Sequence, residues 1–132
     1  MTSQATDTRF RTEKRLLNAA DYGGVFDNPD YRASHQHLLL LAKSNTGNVH
    51  RLGLVIAKKN VRLAVQRNRI KRVAREFFRA LPISEPTLDV VLLARRGMGN
   101  LDNAELSSIL QQQWRKLVMR AAKSETISHR DT

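Results

Sequence analysis

Nine residues between positions 58 and 75 carry side chains suited to one kind of chemistry: Lys58, Lys59, Arg62, Arg67, Asn68, Arg69, Lys71, Arg72 and Arg75. A guanidinium is a planar fork that can donate two hydrogen bonds to one phosphate, and a lysine ammonium is a compact point charge that serves the same anion. Asn68 adds an uncharged donor and acceptor, suited to a sugar hydroxyl or a base edge. From position 51 to 79, ten of the chain's 23 lysines and arginines fall within 29 positions, opposed only by Glu76. Charge focused in this way repels itself unless a polyanion supplies the counter-charge. The chemistry is phosphate binding.

Other chemistries lack their parts. His35 and His37 alternate onto one strand face, but no third ligand follows at metal spacing, so they read as strand histidines rather than a zinc site. Gly97-Met98-Gly99 lacks the rest of a phosphate-loop pattern and reads as a turn. No Ser-His-Asp or paired-carboxylate arrangement stands out, so no catalytic residue is nominated. Cysteine is absent, which rules out disulfides and thiolate metal sites and fits a reducing cytoplasm.

The basic residues need an element to position them. From about 63 to 81 the apolar period is helical: Ile70, Val73, Ala74, Phe77, Phe78 and Leu81 fall within an arc of roughly 140° at about 100° per residue. Asn68, Lys71, Arg72, Arg75 and Arg79 occupy an arc of about 100° beside and opposite it, with Arg67 and Arg69 flanking. Like charges three and four apart weaken a helix, which again points to an anionic partner. Ahead of this helix, residues 31–43 and 51–57 read as extended runs forming a hairpin across the turn at 44–48, the second with Leu52, Leu54 and Ile56 on one side. Residues 87–94 are apolar on both faces and read as an interior strand. A short helix begins after Asn18, carries Tyr22 and Phe26 on one face, and stops at Asp27-Asn28-Pro29-Asp30. Pro82 and Pro86 end the basic helix and bracket a loop. The last helix opens at Asp102, where Glu105 completes a capping box, and buries Leu106, Ile109, Leu110, Trp114, Leu117 and Ala121. The order helix, strands, helix, strand, helix predicts a single-domain α+β sandwich with a small mixed sheet.

Bulk composition agrees. With 132 residues, 41% hydrophobic and 27% charged, the chain is sized for one soluble domain. The longest apolar run, 38–42, is far too short to span a bilayer, and the polar start lacks a secretory signal. A net charge of +11 makes nucleic acid the first candidate partner and an anionic membrane surface the second.

The stretch from Lys58 to Glu76, with its core Arg67-Asn68-Arg69 followed by Ile70-Lys71-Arg72 and Arg75-Glu76, closely resembles the signature of the ribonuclease P protein family. The resemblance extends to Arg15-Leu16 with Tyr22 and Phe26, to the strand at 89–94 and to Leu101-Asp102. It implies one domain over 9–123, with 1–8 and 124–132 as flexible polar termini, and a left-handed crossover into the Arg-Asn-Arg helix. It implies two RNA surfaces. Lys58, Lys59, Arg62, Arg67, Asn68, Arg69, Lys71, Arg72 and Arg75 would face the catalytic RNA subunit. Tyr22 and Phe26 would lie in a cleft holding the single-stranded 5′ leader of precursor tRNA, although from spacing alone such a pair reads first as core. Where many members carry glycine this chain has Arg62, which adds charge. The implied partners are the RNA subunit and precursor tRNA, with neither membrane nor DNA, in the cytoplasm. Mg²⁺ is expected in the holoenzyme, mainly RNA-bound, so that the chain assists an endonuclease whose chemistry resides in RNA. A structural ribosomal or other non-enzymatic RNA-binding protein is the alternative.

Overall fold

A computed structural model describes residues 19–45, 49–81 and 87–131. Helix α1 (Ala19–Asp27) leads into strands β1 (Tyr31–Ser34), β2 (Leu38–Ser44) and β3 (Arg51–Val55); helix α2 (Ala64–Arg79), strand β4 (Leu88–Ala94), a 3₁₀ turn (Met98–Asn100) and helix α3 (Asn103–Asp131) follow. The element order and the α+β class are those expected. Asn18, Arg15-Leu16, Pro82 and Pro86 lie outside the described residues.

Strand pairing differs from the expected hairpin. The run at 31–43 divides at His35-Gln36-His37 into β1 and β2, which pair antiparallel with Tyr31 opposite Ala42 and Ala33 opposite Leu40. β3 does not pair with β2. The sheet order is β1-β2-β4-β3, with β4 antiparallel to β2 and parallel to β3. The physical reason is visible in β4 itself. Its residues are apolar on both faces and five of its seven are buried, which suits an interior strand, so β4 enters between β2 and β3. The parallel pair requires a crossover, and α2 provides it.

The sheet has two unequal faces. On one, Leu40, Ala42, Leu52, Val90 and Leu92 meet Ile70, Val73, Ala74 and Phe78 of α2 and Leu106, Leu110, Trp114 and Leu117 of α3. Each buried Leu, Ile, Val or Phe among them contributes about 1.5–3 kcal/mol. Trp114 stands edge-on to Phe78 at 5.3 Å, which fixes the α2–α3 crossing. The other face has a smaller cluster: Val25 of α1 with Leu41 and Val91, and Tyr22, Leu39, Val55 and Leu93 packed half-buried around it. Only α1 covers this face among the described elements.

The capping box at the start of α3 is present and reciprocal. The Glu105 amide donates to Asp102 Oδ1 at 2.8 Å, and the Asp102 amide donates to Glu105 Oε1 at 2.9 Å. The helix continues to Asp131, through a stretch with no glycine or proline to stop it.

Candidate nucleic-acid interface

The basic surface is built on α2 and on the loop that enters it. That loop is pinned at two points. Val61 is buried in the core, and Asn60 Nδ2 donates to the carbonyl of Ala94 at 2.9 Å, tying the loop to the end of β4. On either side of these anchors, Lys58, Lys59 and Arg62 are exposed. The helix then turns Ile70, Val73, Ala74 and Phe78 inward, and its helical period leaves Asn68 and Arg72 exposed with Lys71 and Arg75 half-buried. Phe77 and Leu81 pack at the margin of the core, so the apolar arc is as expected.

Two of the predicted residues have a second occupation that their type and spacing did not reveal. Arg67 bends back over the loop, donating from one guanidinium nitrogen to the carbonyls of Val61 at 3.0 Å and Arg62 at 2.9 Å. Arg69 reaches the other way, donating to Asn103 Oδ1 at 2.9 Å and to the carbonyl of Gly99 at 3.1 Å. Arg67 thus braces the loop that presents Arg62, and Arg69 ties α2 to the 3₁₀ turn and the start of α3. Arg51 is also occupied, in a bidentate pair with Asp89 across β3 and β4 at 2.8 and 2.7 Å.

A cleft of about 610 Å³ lies between the loop and the 3₁₀ turn. Lys59, Arg62 and Arg96 supply its charge, and Gln66 and Asn100 supply amides. Arg96 was not among the residues expected from sequence, because it lies 34 positions beyond Arg62 and only the fold brings the two to one cleft. Close packing beneath the cleft depends on Gly99: a Cβ there would stand 2.7 Å from Gln66 Oε1 and 3.1 Å from Val61 Cγ1.

Replacing Arg69 therefore tests more than charge. Arg69→Ala removes two charge-assisted hydrogen bonds at a partly exposed site and should lower unfolding stability by about 1–2 kcal/mol. Urea denaturation followed by circular dichroism measures this, and an unchanged midpoint would show that the tie to Asn103 and Gly99 contributes nothing.

Tyr22 and Phe26 are elsewhere, on the opposite face of the sheet. Tyr22 is half-buried against the smaller cluster, and its hydroxyl accepts from the Leu54 amide of edge strand β3 at 3.3 Å. Phe26, one turn on, is 40% exposed. Beside them the sheet offers Leu39, Val55 and Leu93, all half-buried. The pair thus divides the two sequence readings, one ring packed and the other open, over an incompletely covered apolar floor.

A family model for ribonuclease P matches residues 10–118. The chain belongs to the ribonuclease P protein family. The "Ribonuclease P protein component" of Pseudomonas paraeruginosa is 44% identical over 117 residues, covering 89% of this chain and 87% of the relative. That of Saccharophagus degradans is 42% identical over 114 residues, covering 86% and 84%. Among solved structures, the Staphylococcus aureus RNase P protein superposes with a TM-score of 0.68 at 22% identity, covering 77% of this chain and 93% of that one. The Thermotoga maritima RNase P protein does so at 0.63 and 24%, covering 76% and 96%. At these identities the two structures speak for the fold, and the sequence relatives carry the family membership. The ribonuclease P protein family accordingly includes a chain whose two candidate surfaces lie on opposite faces of one four-stranded sheet.

Proposed function

We propose that this chain is the protein subunit of a cytoplasmic ribonuclease P, binding the catalytic RNA subunit through α2 and its entering loop and the 5′ leader of precursor tRNA along α1. One observation carries the reading: the basic face and the open aromatic face lie on opposite sides of a single thin sheet, so one domain can touch two RNAs at once. On the first side, Lys58, Lys59, Arg62, Asn68, Lys71, Arg72 and Arg75 offer donors to a phosphate backbone. Arg67 and Arg69 hold those donors in register through their ties to the loop and to α3, and can add contacts from their remaining N–H groups. On the second side, Phe26 offers a ring to an unstacked base, while Tyr22 and the half-buried Leu39, Val55 and Leu93 line the floor.

In this role the protein's contribution is positional and electrostatic. Its net charge of +11 offsets part of the repulsion between two polyanionic RNAs, and the leader is held at a fixed distance from the helix that docks the RNA subunit. Among the described residues no group of three or more His, Asp or Glu side chains could hold a metal ion. We assign the holoenzyme's Mg²⁺ mainly to RNA, and no step of cleavage to a side chain of this protein.

The test is reconstitution. Purified protein with Mg²⁺ should leave precursor tRNA intact, and addition of the cognate RNA subunit should yield the mature 5′ end. Specific 5′ processing by protein freed of RNA by nuclease treatment would overturn the reading.

A further inference from the structure

A second group of cations gathers where β1 turns into β2, away from the exposed face of α2. The turn residues His35 and His37 face each other with ring centroids 5.6 Å apart. The Arg95 guanidinium donates to Ser34 Oγ and to the His35 carbonyl, both at 2.8 Å. Lys116 and Arg95 lie close enough to act electrostatically on the His35 ring. On α3, Lys116, Arg120 and Lys123 recur at spacings of four and three, which puts them on one face, and all three are exposed. Arg120 donates to the carbonyl of Arg32, so this face of α3 lies along β1.

The backbone beneath the group is fixed. The Arg95 amide donates to the His37 carbonyl at 2.9 Å, and His37 Nδ1 meets the Arg96 carbonyl at 3.3 Å. Gly97, at a φ of 88°, lets this turn close on His37, since a Cβ there would lie 3.1 Å from the ring. The His37 amide donates to His35 Nδ1 at 3.0 Å, which holds His35 as the neutral tautomer with its Nε2–H free to donate. Burial keeps the His35 imidazole below the ordinary histidine value, and His37, Lys116 and Arg95 push the same way. The neighbours that act on it are thus all cationic or potentially so. Glu105, three turns before Lys116 on α3, is engaged in the capping box.

A solvated patch would gain nothing from gathering like charges around two imidazoles, and a metal ion would be repelled by them. An anion would be attracted. Arg96 indicates which anion. Its carbonyl is against His37, and its residue also lines the cleft with Lys59 and Arg62. The two basic areas are therefore joined.

We infer that the β1–β2 turn with Arg95, Arg96, Lys116 and Arg120 is a second docking surface for the phosphate backbone of the RNA that binds α2, reached by way of Arg96. The inference rests on the proposed role of the chain as a binder of the ribonuclease P RNA subunit. Surface cations of this kind fix the register of a long RNA and carry no base specificity.

The experiment measures binding of the full chain to its transcribed cognate RNA subunit over a range of salt concentrations. Three variants are compared with the unaltered protein: R96Q/K116Q, K116R, and K71Q/R72Q/R75Q on α2. Arg96 and Lys116 are exposed, so R96Q/K116Q should keep its melting temperature. It should bind about 15- to 30-fold more weakly at 0.15 M salt, with the salt slope reduced by about 1.4 to 1.8, while K116R binds as the unaltered protein does. The imidazole proton signals of His35 and His37 should shift when RNA is added. Unchanged affinity for R96Q/K116Q, with weakened binding for K71Q/R72Q/R75Q, would overturn this surface and leave the proposed function standing. No weakening in either variant would overturn both. Loss of binding to phosphatidylglycerol vesicles with RNA affinity intact would show that the patch meets lipid, and would also overturn the inference.

Discussion

Phe26→Ala should weaken binding of precursor tRNA to the reconstituted holoenzyme by about 5- to 150-fold and leave mature tRNA almost unaffected. The range follows from stacking of an aromatic ring on an unstacked base, worth about 1–3 kcal/mol. Structure makes the substitution informative because Phe26 is 40% exposed: its ring contributes little to the core and is open to a ligand. Only precursor tRNA has a leader, so the loss should be confined to it. Tyr22→Phe should be milder. The ring stays packed on the cluster of Val25, Leu41 and Val91, and only the hydrogen bond from the Leu54 amide is lost, at about 0.5–1.5 kcal/mol of stability. Circular dichroism establishes that each variant is folded. Equal losses for precursor and mature tRNA with Phe26→Ala would return this ring to a structural role.

The second large effect is on the other side of the sheet. Changing Lys71, Arg72 and Arg75 to glutamine together should reduce the salt slope of RNA-subunit binding by about 2.1 to 2.7, a loss of about 50- to 170-fold at 0.15 M salt. Arg72 is exposed, and Lys71 and Arg75 are half-buried beside the apolar stripe of Ile70, Val73 and Phe78 without entering the core, so the melting temperature should hold. Arg67→Ala and Arg69→Ala are expected to behave differently. Each removes ties to the protein's own carbonyls as well as any phosphate contact, so affinity should fall together with stability. Restoring stability with a lower temperature or an osmolyte should recover the structural part of that loss and leave the phosphate part. A full set of salt titrations distinguishes these behaviours, and an unchanged slope in the triple variant would mean that α2 is merely solvated.

The parts of this fold that a reader of the sequence can see are those whose signal is local. The 3.6-residue period of Ile70, Val73, Ala74 and Phe78 marks one face of α2 wherever the helix packs. The Asp102–Glu105 box is complete within four residues, and β4 declares its interior place by being apolar on both faces. Strand partners are different. β2 and β3 are neighbours in sequence, and nothing in their own residues says that β4, more than thirty positions on, will separate them. The long pairing wins because β4 must bury both faces and both edges.

The interface divides along the same line. Lys71 and Arg72 are legible as a charged helix face because their neighbours on that helix define it. Arg67 and Arg69 look no different in sequence, yet each makes contacts with backbone or side chains outside α2, and arginine has the same type and spacing whether it braces a loop or meets a phosphate. Arg96 and the His35–His37 turn were opaque for a stronger reason. They acquire meaning only when residues about sixty positions apart, such as Ser34 and Arg95, are hydrogen-bonded. Tyr22 and Phe26 stand between these cases. Their shared face is readable, but which ring packs and which remains open is decided by how far α1 covers the sheet.

The most direct measurement is to isolate the full chain under native conditions from its own cells and sequence the RNA that comes with it. The ribonuclease P RNA subunit should be the dominant enriched species, and it should be depleted when Lys71, Arg72 and Arg75 are changed to glutamine. Enrichment of ribosomal RNA in its place, insensitive to those substitutions, would contradict the account and favour a structural ribosomal role.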